Sequence, residues 1–547
     1  MNWLNKKSQI FLSNGYLSEG EDAIERIKSI ASAAEGYLGK EGFADRFYYH
    51  MEKGHFLLSS PVWANFGKKR GFPIACFNSH VEDTMDSILY NTAEVGMMTK
   101  MGGGTSGYFG EIRQRGAAIS TGGISDGAVT FMQLFDSVSH VCKQADVRRG
   151  KMAAYLPIDH GDIEDFLNIR KEGHPIQDLL TGVVVKDDWL EEMKGGDKDK
   201  RKVWAKVLES RAQTGLPYIY FYDNANNAAP QVYKDKDRDI KSSNLCSEIM
   251  LSSDKDESFV CCLGSMNLLH YDDWKDTDAV EIMSLFLDSV LTEFIQKSEG
   301  VSFMQRPRNF AINQRAIGIG ATGYHSVLQS KMIPFESLEA QMLNTEMFET
   351  IKNQSLEASK KAAKEMGEPP MLEGRGERWV TRMAVAPNTS SAFILGQVSQ
   401  SIEPFKSNYY VKDIAKFKGT IKNKYLEKLL EEKDKNTSDV WDSILRNNGS
   451  VQQLDFLTEK EKAVFKTFAE ISQKEIITQA AQRQKHIDQG QSLNIMIPSG
   501  VSAKEMNQLT LYAWESGVKS LYYQHSSNAA QELFRKFNED NCSACEG

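Results

Sequence analysis

Three residues of the stretch KSSNLCSEIML (241–251) could perform chemistry together. Asn244, Cys246 and Glu248 stand at alternate positions. If the segment is extended, side chains at i, i+2 and i+4 leave the same face of the chain. An amide, a thiol and a carboxylate would then meet in one small volume. The spacing therefore predicts a reactive trio in which a sulfur atom and a proton acceptor lie side by side.

Further cysteines extend this pattern along the chain. The seven cysteines occupy positions 76, 142, 246, 261, 262, 542 and 545. Cysteines in apolar stretches such as GFPIACFNSH and SFVCCLGSMNLL are often inert core residues. Cys542 and Cys545 form a C-x-x-C in a polar tail that could close a disulfide, form half of a zinc site, or do nothing. No second pair of ligands suits zinc, so we expect no metal site, and an exposed C-x-x-C favours thiol exchange. Together the cysteines indicate a redox enzyme.

Composition narrows the class of protein. The chain has 547 residues, 41% of them hydrophobic and 25% charged, with a formal net charge of -9. An acidic chain is not expected to bind nucleic acid in general. There is no apolar run of about 18 residues and no secretory signal, which predicts a cytoplasmic protein that does not span a membrane. The odd, sparse cysteine count argues against a secreted disulfide framework.

The order of predicted elements favours an α/β fold with three parts. Residues 1–55 form a short, polar helical region. Strand-like pieces such as MAAYLPI and TGVVVK alternate with helical pieces over 56–535, as in α/β proteins. Within that body, about 411–485 is predicted as a charged, helical excursion. Residues 536–547 are predicted as a flexible redox-active tail.

The motifs NLCSEI, CCLGSMNL, RAIGIGATG, NTSSAFILGQVSQSIEP, GVKSLYYQ and the terminal C-x-x-C follow one another in this order. In that order they resemble the catalytic large subunit of class I ribonucleotide reductases, from about Leu57 to the C-terminus. The resemblance implies a ten-stranded α/β barrel with a central finger loop. Since only about 55 residues precede this region, we expect no N-terminal ATP-cone, a domain of roughly 100 residues.

The resemblance also implies a role for each residue of the trio. Cys246 matches the cysteine that becomes a thiyl radical and removes the 3' hydrogen of the ribose. Glu248 matches the base that takes the proton of the 3' hydroxyl, and Asn244 matches the amide that orients the sugar. Cys76 and Cys261 match the pair that supplies reducing equivalents and ends as a disulfide, with Cys262 on the opposite side of its strand.

Regeneration and radical supply follow from the same resemblance. Cys542 and Cys545 match the tail dithiol that reduces the active-site pair, and thioredoxin or glutaredoxin would reduce the tail. Tyr522 and Tyr523 would usually be core or interface residues. In the family such a pair relays the oxidising equivalent from a small subunit, with Tyr522 next to Cys246. The radical and its metal would belong to that partner, and no cofactor is expected to be bound covalently here.

Substrate and effector sites are also implied. The substrate would be a ribonucleoside diphosphate, contacted by residues at a predicted helix start, where a plain N-cap is the alternative, and at two further positions: Asn388, Thr389, Ser390, Ser391, Ser60 and Ala75. Ala75 departs from the serine of some relatives. A deoxynucleotide or ATP would bind at the interface of a homodimer, at a specificity site that Asp83 and Arg113 match. Gln144 and Arg148 match the loop that links the identity of the effector to the choice of base.

The same residues are compatible with three alternative functions. A cobalamin-dependent reductase could use the same barrel without a small subunit. A catalytically inactive paralogue could retain nucleotide binding alone. A simple dithiol oxidoreductase would leave Glu248, the tyrosine pair and the predicted helix start unexplained. The main prediction is therefore a ribonucleoside-diphosphate reductase that makes DNA precursors.

Overall fold

The computed structural model describes residues 1–142, 150–414, 417–498 and 501–526. The strands are β1 Phe56–Leu58, β2 Cys76–His80, β3 Gly104–Tyr108, β4 Met152–Pro157, β5 Leu180–Val185, β6 Tyr218–Phe221, β7 Val260–Cys261, β8 Leu263–Asn267, β9 Gly318–Thr322, β10 Tyr409–Ile414, β11 Phe417–Lys422, β12 Ile495–Ile497, β13 Ser520–Leu521 and β14 Gln524–Ser526.

Helices cover much of the remaining described chain. They are α1 Lys6–Ser13, α2 Ala23–Leu38, α3 Phe43–Lys53, α4 Ser60–Asn65, α5 Met85–Lys100, α6 Ala128–Val141, α7 Ile163–Phe166, α8 Asp187–Gly195, α9 Lys198–Thr214, α10 Tyr222–Asn227, α11 Gln231–Asp235, α12 Tyr271–Trp274, α13 Ala279–Lys297, α14 Gln305–Gln314, α15 Tyr324–Ser330, α16 Leu338–Met366, α17 Thr389–Ile394, α18 Lys424–Glu432, α19 Ser438–Arg446, α20 Glu459–Val464, α21 Gln473–Gln484 and α22 Ala503–Glu515, with short 3-10 turns at Leu268–His270 and Pro370–Leu372. No helix within the described ranges is both long and apolar enough to cross a lipid bilayer.

Five strands form a parallel half-sheet in the order β6-β5-β4-β3-β2. The sequences of β4, β5 and β6, such as LTGVVV in β5, are nearly continuous apolar runs, and the residues of β5 are buried throughout. Such runs are typical of parallel strands that are covered on both faces. Helices such as α5 and α6 pack against this half-sheet from outside.

A second parallel half-sheet follows along the chain. Strands β8 and β9 are parallel neighbours, and parallel bridges Ile319 to Met383 and Val385 to Gln491 continue the sheet. Strand β12 then pairs in parallel with β14. This half therefore also contains five extended segments, namely β8, β9, 382–386, 490–497 and 520–526.

Two antiparallel contacts join the halves into a closed barrel. On one side β2 pairs with β7, which continues directly into β8, and on the other side β13 pairs with β6. Five segments from each half give ten in all within the described residues. The predicted ten-stranded α/β barrel is confirmed, and closure removes the free strand edges of an open sheet.

The residues between α11 and β7 enter the barrel as the predicted finger loop. The hydroxyl of Tyr155 on β4 donates to the carbonyl of Asn244 over 2.7 Å, and Ser520 on β13 donates to the carbonyl of Ser247 over 2.7 Å. The backbone amide of Gly490 donates to the carbonyl of Glu248 over 2.8 Å. Both half-sheets therefore hold the loop, as buried backbone carbonyls require.

Helices α1, α2 and α3 lie before the barrel. Arg26 on α2 is fully buried and donates to the carbonyls of Val62, Trp63 and Phe66. Those carbonyls belong to α4 and the residue after it. The N-terminal helices therefore fix the short helix that begins at Ser60.

The predicted helical excursion differs from the structure at its start. Strands β10 and β11 pair with each other in antiparallel fashion, so the prediction of helix from Val411 is wrong over these two strands. Aromatic and β-branched residues such as Tyr409, Tyr410 and Ile421 favour a strand over a helix. Helices α18 to α21 follow. Several of these residues form a small core apart from the barrel, including Leu426, Leu430, Trp441, Ile444 and Val451.

Candidate active site

The trio of the finger loop meets through a turn rather than through an extended segment. The backbone amide of Ser247 donates to the carbonyl of Asn244 over 3.3 Å, and Ser247 has φ of 61°. The side-chain oxygen of Asn244 accepts from the backbone amides of Glu248 and Ile249, over 3.0 and 3.1 Å. Asparagine side chains favour such turns because they accept from nearby backbone amides. The predicted alternation is therefore wrong for the backbone.

Glu248 is a carboxyl group in a dry environment. Its side chain is buried, and burial raises its pKa from 4.5 to about 7, against hydrogen bonds to its own backbone amide, Asn244 and Ser492 that lower it. The Ser492 hydroxyl lies 3.2 Å from Oε2 of Glu248. A carboxyl with a pKa near 7 can both accept and return a proton near neutral pH.

The cysteine pair faces the trio from the barrel wall. Cys76 on β2 and Cys261 on β7 are direct partners across the two antiparallel strands. The side-chain amide of Asn244 donates to the sulfur of Cys76 over 3.3 Å, which ties the pair to the finger loop. Burial raises the pKa of the Cys261 thiol well above its usual range, and Cys76 and Glu248 raise it further. The five cysteines within the described ranges are all reduced.

Cys262, the neighbour of Cys261, is on the other face of the strand. Its sulfur lies 3.4 Å from the carbonyl oxygen of Leu287 on α13, outside the barrel. Burial raises its pKa, with Asp288 as the largest charged contributor. Only Cys261 of the two therefore faces Cys76, because successive side chains leave opposite faces of a strand.

A cluster of buried tyrosines adjoins Cys246. The ring centroids of Tyr522 and Tyr523 are 4.4 Å apart, and Tyr218 on β6 lies 4.8 Å and 5.1 Å from them. Burial raises the pKa of Tyr522 well above its usual range, and the neighbouring Cys246, to which it is hydrogen-bonded, adds to the shift. The phenols are therefore neutral, and neutral phenols in contact with one another and with a thiol form a continuous chain of oxidisable groups.

The predicted phosphate-contacting residues lie where α17 begins. Asn388 has φ of 57°, and its side chain donates to the hydroxyl of Ser265 on β8 and to the carbonyl of Ala321 on β9. Asn388 makes no side-chain cap to the helix, which begins at Thr389. Ser390 and Ser391 are buried in its first turn. The helix start is thus fixed to two neighbouring barrel strands, β8 and β9.

Two further predicted substrate contacts lie on neighbouring elements. Ser60 begins α4, and its hydroxyl lies 3.3 Å from that of Tyr16. Ala75 directly precedes Cys76, and its backbone amide donates to the carbonyl of Cys261 over 3.4 Å. Ala75 therefore helps to hold together the strands that carry the cysteine pair.

Of the four predicted effector residues, two lie in the described ranges and contact each other. The guanidinium of Arg113 donates to a carboxylate oxygen of Asp83 over 2.6 Å, and its backbone amide donates to the other over 3.1 Å. Both side chains are about one-third exposed; Asp83 lies just before α5 and Arg113 lies between β3 and α6. Gln144 and Arg148, and likewise Cys542 and Cys545 of the tail, lie outside the described residues.

Sequence reasoning missed three residues of the site. Tyr155 and Ser492 contact the finger loop, and Tyr218 joins the tyrosine cluster. Tyr155 and Ser492 are isolated in sequence from the loop they contact, so no local pattern marks them. The alternating tyrosines of PYIYFY, which place Tyr218 and Tyr220 on one face, were the one available signal.

Taken together, fold and site define a class of protein: an α/β barrel enzyme whose central loop carries a thiol, an amide and a carboxyl group beside a dithiol and a tyrosine cluster. Comparison with known families is consistent with that class. The family model "Ribonucleotide reductase, barrel domain" matches residues 74–199, 196–375 and 371–524. The chain belongs to the ribonucleotide reductase family.

Individual relatives share most of the chain. It is 36% identical to the putative ribonucleoside-diphosphate reductase large subunit of Frog virus 3, over 94% of both chains. It is 30% identical to the ribonucleoside-diphosphate reductase large subunit of Caenorhabditis elegans, over 89% of this chain and 71% of that one. Among solved structures, the class Id ribonucleotide reductase alpha subunit of Actinobacillus ureae superposes with a TM-score of 0.92 at 53% identity, covering 97% of this chain and 98% of that one.

The raised pKa of Glu248 predicts a pH-dependent penalty to stability. The folded protein keeps this proton up to about pH 7, whereas the unfolded chain loses it near 4.5. Wild type should therefore lose stability relative to Glu248→Gln as the pH rises from 4.5 to 7, by about 3 kcal/mol at the plateau. Urea unfolding of both proteins at pH 5 and pH 8, followed by circular dichroism, measures this difference.

The surface control Glu357→Gln, whose side chain is 72% exposed, should change stability by less than about 0.5 kcal/mol at either pH. Equal stability differences between wild type and Glu248→Gln at both pH values would contradict the assignment of a raised pKa to Glu248.

Proposed function

We propose that this chain is the catalytic large subunit of a ribonucleoside-diphosphate reductase, which converts ribonucleoside diphosphates to 2'-deoxyribonucleoside diphosphates. One observation carries the proposal. Asn244, Cys246 and Glu248 share a buried loop whose amide contacts Cys76, the strand partner of Cys261. A hydrogen-abstracting sulfur, a base and a two-electron reductant are what removal of a hydroxyl from a sugar requires. The names of the relatives support the same activity.

The proposed chemistry balances with these groups. A thiyl radical on Cys246 takes the hydrogen atom from C3' of the ribose, and Glu248 takes the proton of the 3' hydroxyl. The 2' hydroxyl leaves as water with a proton from one thiol of the cysteine pair, and C2' takes a hydrogen from the other thiol. Cys76 and Cys261 thereby supply two electrons and two hydrogens and form a disulfide. Glu248 returns its proton to the 3' oxygen, and the hydrogen atom returns from Cys246 to C3', which restores the thiyl radical.

The tyrosine cluster supports a radical that arrives from outside the chain. Tyr522 is hydrogen-bonded to Cys246, and the ring of Tyr523 contacts that of Tyr522 at 4.4 Å between centroids, tilted by 55°. An electron and a proton can therefore leave Cys246 toward Tyr523. We propose that a metal-containing small subunit receives them, and that it is of the class Id type named for the solved relative. A cobalamin-dependent enzyme would have no use for this relay.

Substrate binding and turnover complete the proposal. The start of α17 and the nearby Ser60 would contact the diphosphate. The pair Cys542 and Cys545 would reduce the disulfide of Cys76 and Cys261, and thioredoxin or glutaredoxin would reduce that pair. The dithiol faces inward from the barrel wall, so a carrier on a long tail is a suitable reductant.

We also propose that the chain forms a homodimer with effector sites at its interface. Helices α5 and α6 pack against each other and expose large apolar side chains, including Met85 (52% exposed), Leu89 (54%), Leu134 (39%) and Val141 (74%). Exposed apolar patches of this kind are typical of interfaces. Asp83 and Arg113 lie next to α5, and with Gln144 and Arg148 they would bind a deoxynucleotide or ATP.

The central test compares Cys246→Ser and Tyr522→Phe with wild type. Serine forms no comparable radical, and phenylalanine cannot pass on a phenolic proton and electron. We expect near-complete loss of dCDP formation from CDP in the presence of the cognate small subunit and a dithiol, with CDP affinity kept within about twofold. Tyr512→Phe, a partly buried tyrosine on α22, is the matched control and should keep its turnover. Wild-type turnover by Cys246→Ser would refute the proposal.

The two adjacent cysteines offer a second test. Cys261→Ser should abolish repeated turnover because no disulfide with Cys76 can form. Cys262→Ser, which changes the neighbouring residue on the outer face, should keep most of its activity. The measurement is dCDP formed per subunit with excess dithiol. Equal losses in both variants would contradict the assignment of Cys261 as the partner of Cys76.

The homodimer is tested with Leu89→Glu. A charge in the apolar patch of α5 should be costly to bury at an interface, so we expect a shift from dimer to monomer in sedimentation velocity. Leu445→Glu, on the exposed face of α19, is the control and should leave the sedimentation coefficient unchanged. A Leu89→Glu protein that sediments as the wild-type dimer would rule out this interface.

A further inference from the structure

The hydroxyl of Ser492 lies between two groups of the finger loop. Its oxygen is 2.7 Å from the backbone carbonyl oxygen of Cys246 and 3.2 Å from Oε2 of Glu248. Ser492 is 2% exposed and belongs to the barrel segment 490–497. This one hydroxyl therefore contacts both the backbone of the proposed radical cysteine and the side chain of the proposed base.

A single hydroxyl proton cannot satisfy both acceptors at once. Serine has one O–H donor, a carbonyl only accepts, and a carboxyl group accepts when ionised but can donate when protonated. When Glu248 is protonated, it can donate to Ser492, and Ser492 donates to the carbonyl of Cys246. When Glu248 is ionised, it attracts the Ser492 proton more strongly than the neutral carbonyl does, because hydrogen bonds to charged acceptors are the stronger ones.

Among the buried groups around it, Glu248 is the one that titrates near neutral pH. The titratable side chains around it are Tyr155 on β4, Cys261 on β7, and Cys76 and Cys246. Burial raises the pKa of Tyr155 and of Cys261 well above the usual range, so both stay neutral when Glu248 changes its charge. Within the described residues, the hydrogen-bond donors to the Glu248 side chain are its own backbone amide, Asn244 and Ser492. None of these donors is a cation.

We propose that Ser492 is a positioning residue that couples the protonation state of Glu248 to the backbone of Cys246, by turning its hydroxyl from the carboxylate to the carbonyl when Glu248 takes up a proton. No proton leaves Ser492 in this step, and only the direction of its O–H bond changes. This inference rests on the proposed function, because the proton that Glu248 takes up is the one from the 3' hydroxyl of the substrate. The loop that carries Cys246 is then held most firmly when the base is protonated.

The segment that carries Ser492 is held in place by other contacts. The amide of Gly490 donates to the carbonyl of Glu248 over 2.8 Å, and the amide of Ser492 donates to the carbonyl of Val385 over 2.9 Å. A Cβ atom at Gly490 would lie 2.6 Å from the Met250 side chain. The backbone therefore sits against the loop without help from the hydroxyl, which can be removed separately.

The test is the pH dependence of kcat/KM for CDP with the small subunit present. Activity should rise with pH as Glu248 ionises. Ser492→Ala removes a donor that favours the ionised form, so the midpoint of this rise should move to higher pH by about one unit. Ser492→Thr keeps the hydroxyl and should restore the wild-type midpoint. Ser492→Val, which matches threonine in shape, should behave as alanine does.

Ser520→Ala is the matched control, because Ser520 also donates to the finger loop, at Ser247, over 2.7 Å and is not a hydrogen-bond partner of Glu248. It should leave the midpoint unmoved, whatever its effect on the maximal rate. A common midpoint for Ser492→Thr and Ser492→Val would overturn the inference, even if the alanine variant does not fold. Wild-type turnover by Glu248→Gln would instead refute the proposed base, and so the two failures are distinguishable.

Discussion

The structure depends on burying a polar loop inside a closed barrel. A loop in the centre of a barrel cannot pair its backbone groups with water, so the barrel walls must supply the partners. Tyr155 and Gly490 satisfy the carbonyls of Asn244 and Glu248, and Ser492 and Ser520 satisfy those of Cys246 and Ser247. These partners come from both half-sheets, so the closed barrel is what holds the loop in a single position.

The same burial sets the chemistry of the site. Desolvation raises the pKa of Glu248 to about 7 and holds the thiol of Cys261 and the phenol of Tyr522 in their neutral forms. Hydrogen-atom and proton transfers between neutral groups create little charge in a medium that solvates charge poorly. One exchangeable proton on a carboxyl group is then enough to accompany the redox steps proposed for the cysteines and tyrosines.

Closure of the barrel and assembly of the dithiol depend on the same contact. The antiparallel pairing of β2 with β7 joins the two half-sheets, and it also brings Cys76 opposite Cys261. The other closing contact, between β13 and β6, places Tyr218 beside the tyrosine pair that follows β13. The two antiparallel contacts that close the barrel thus carry the proposed reductant and the proposed radical relay.

The sequence by itself determined the residue types of the site and, through motifs such as NLCSEI and GVKSLYYQ, the barrel and its family. The family resemblance also favoured Cys261 over Cys262 as the partner of Cys76, and the period of a strand places the two adjacent thiols on opposite faces. The tertiary structure decided the rest. The trio meets through a turn at Ser247, since the Asn244 side chain captures backbone amides that an extended segment would present elsewhere. The antiparallel strands β10 and β11 lie where the charged sequence predicts a helix. Ser492 lies far along the chain from Glu248, and such pairings arise only when distant segments pack, so no local spacing could reveal them.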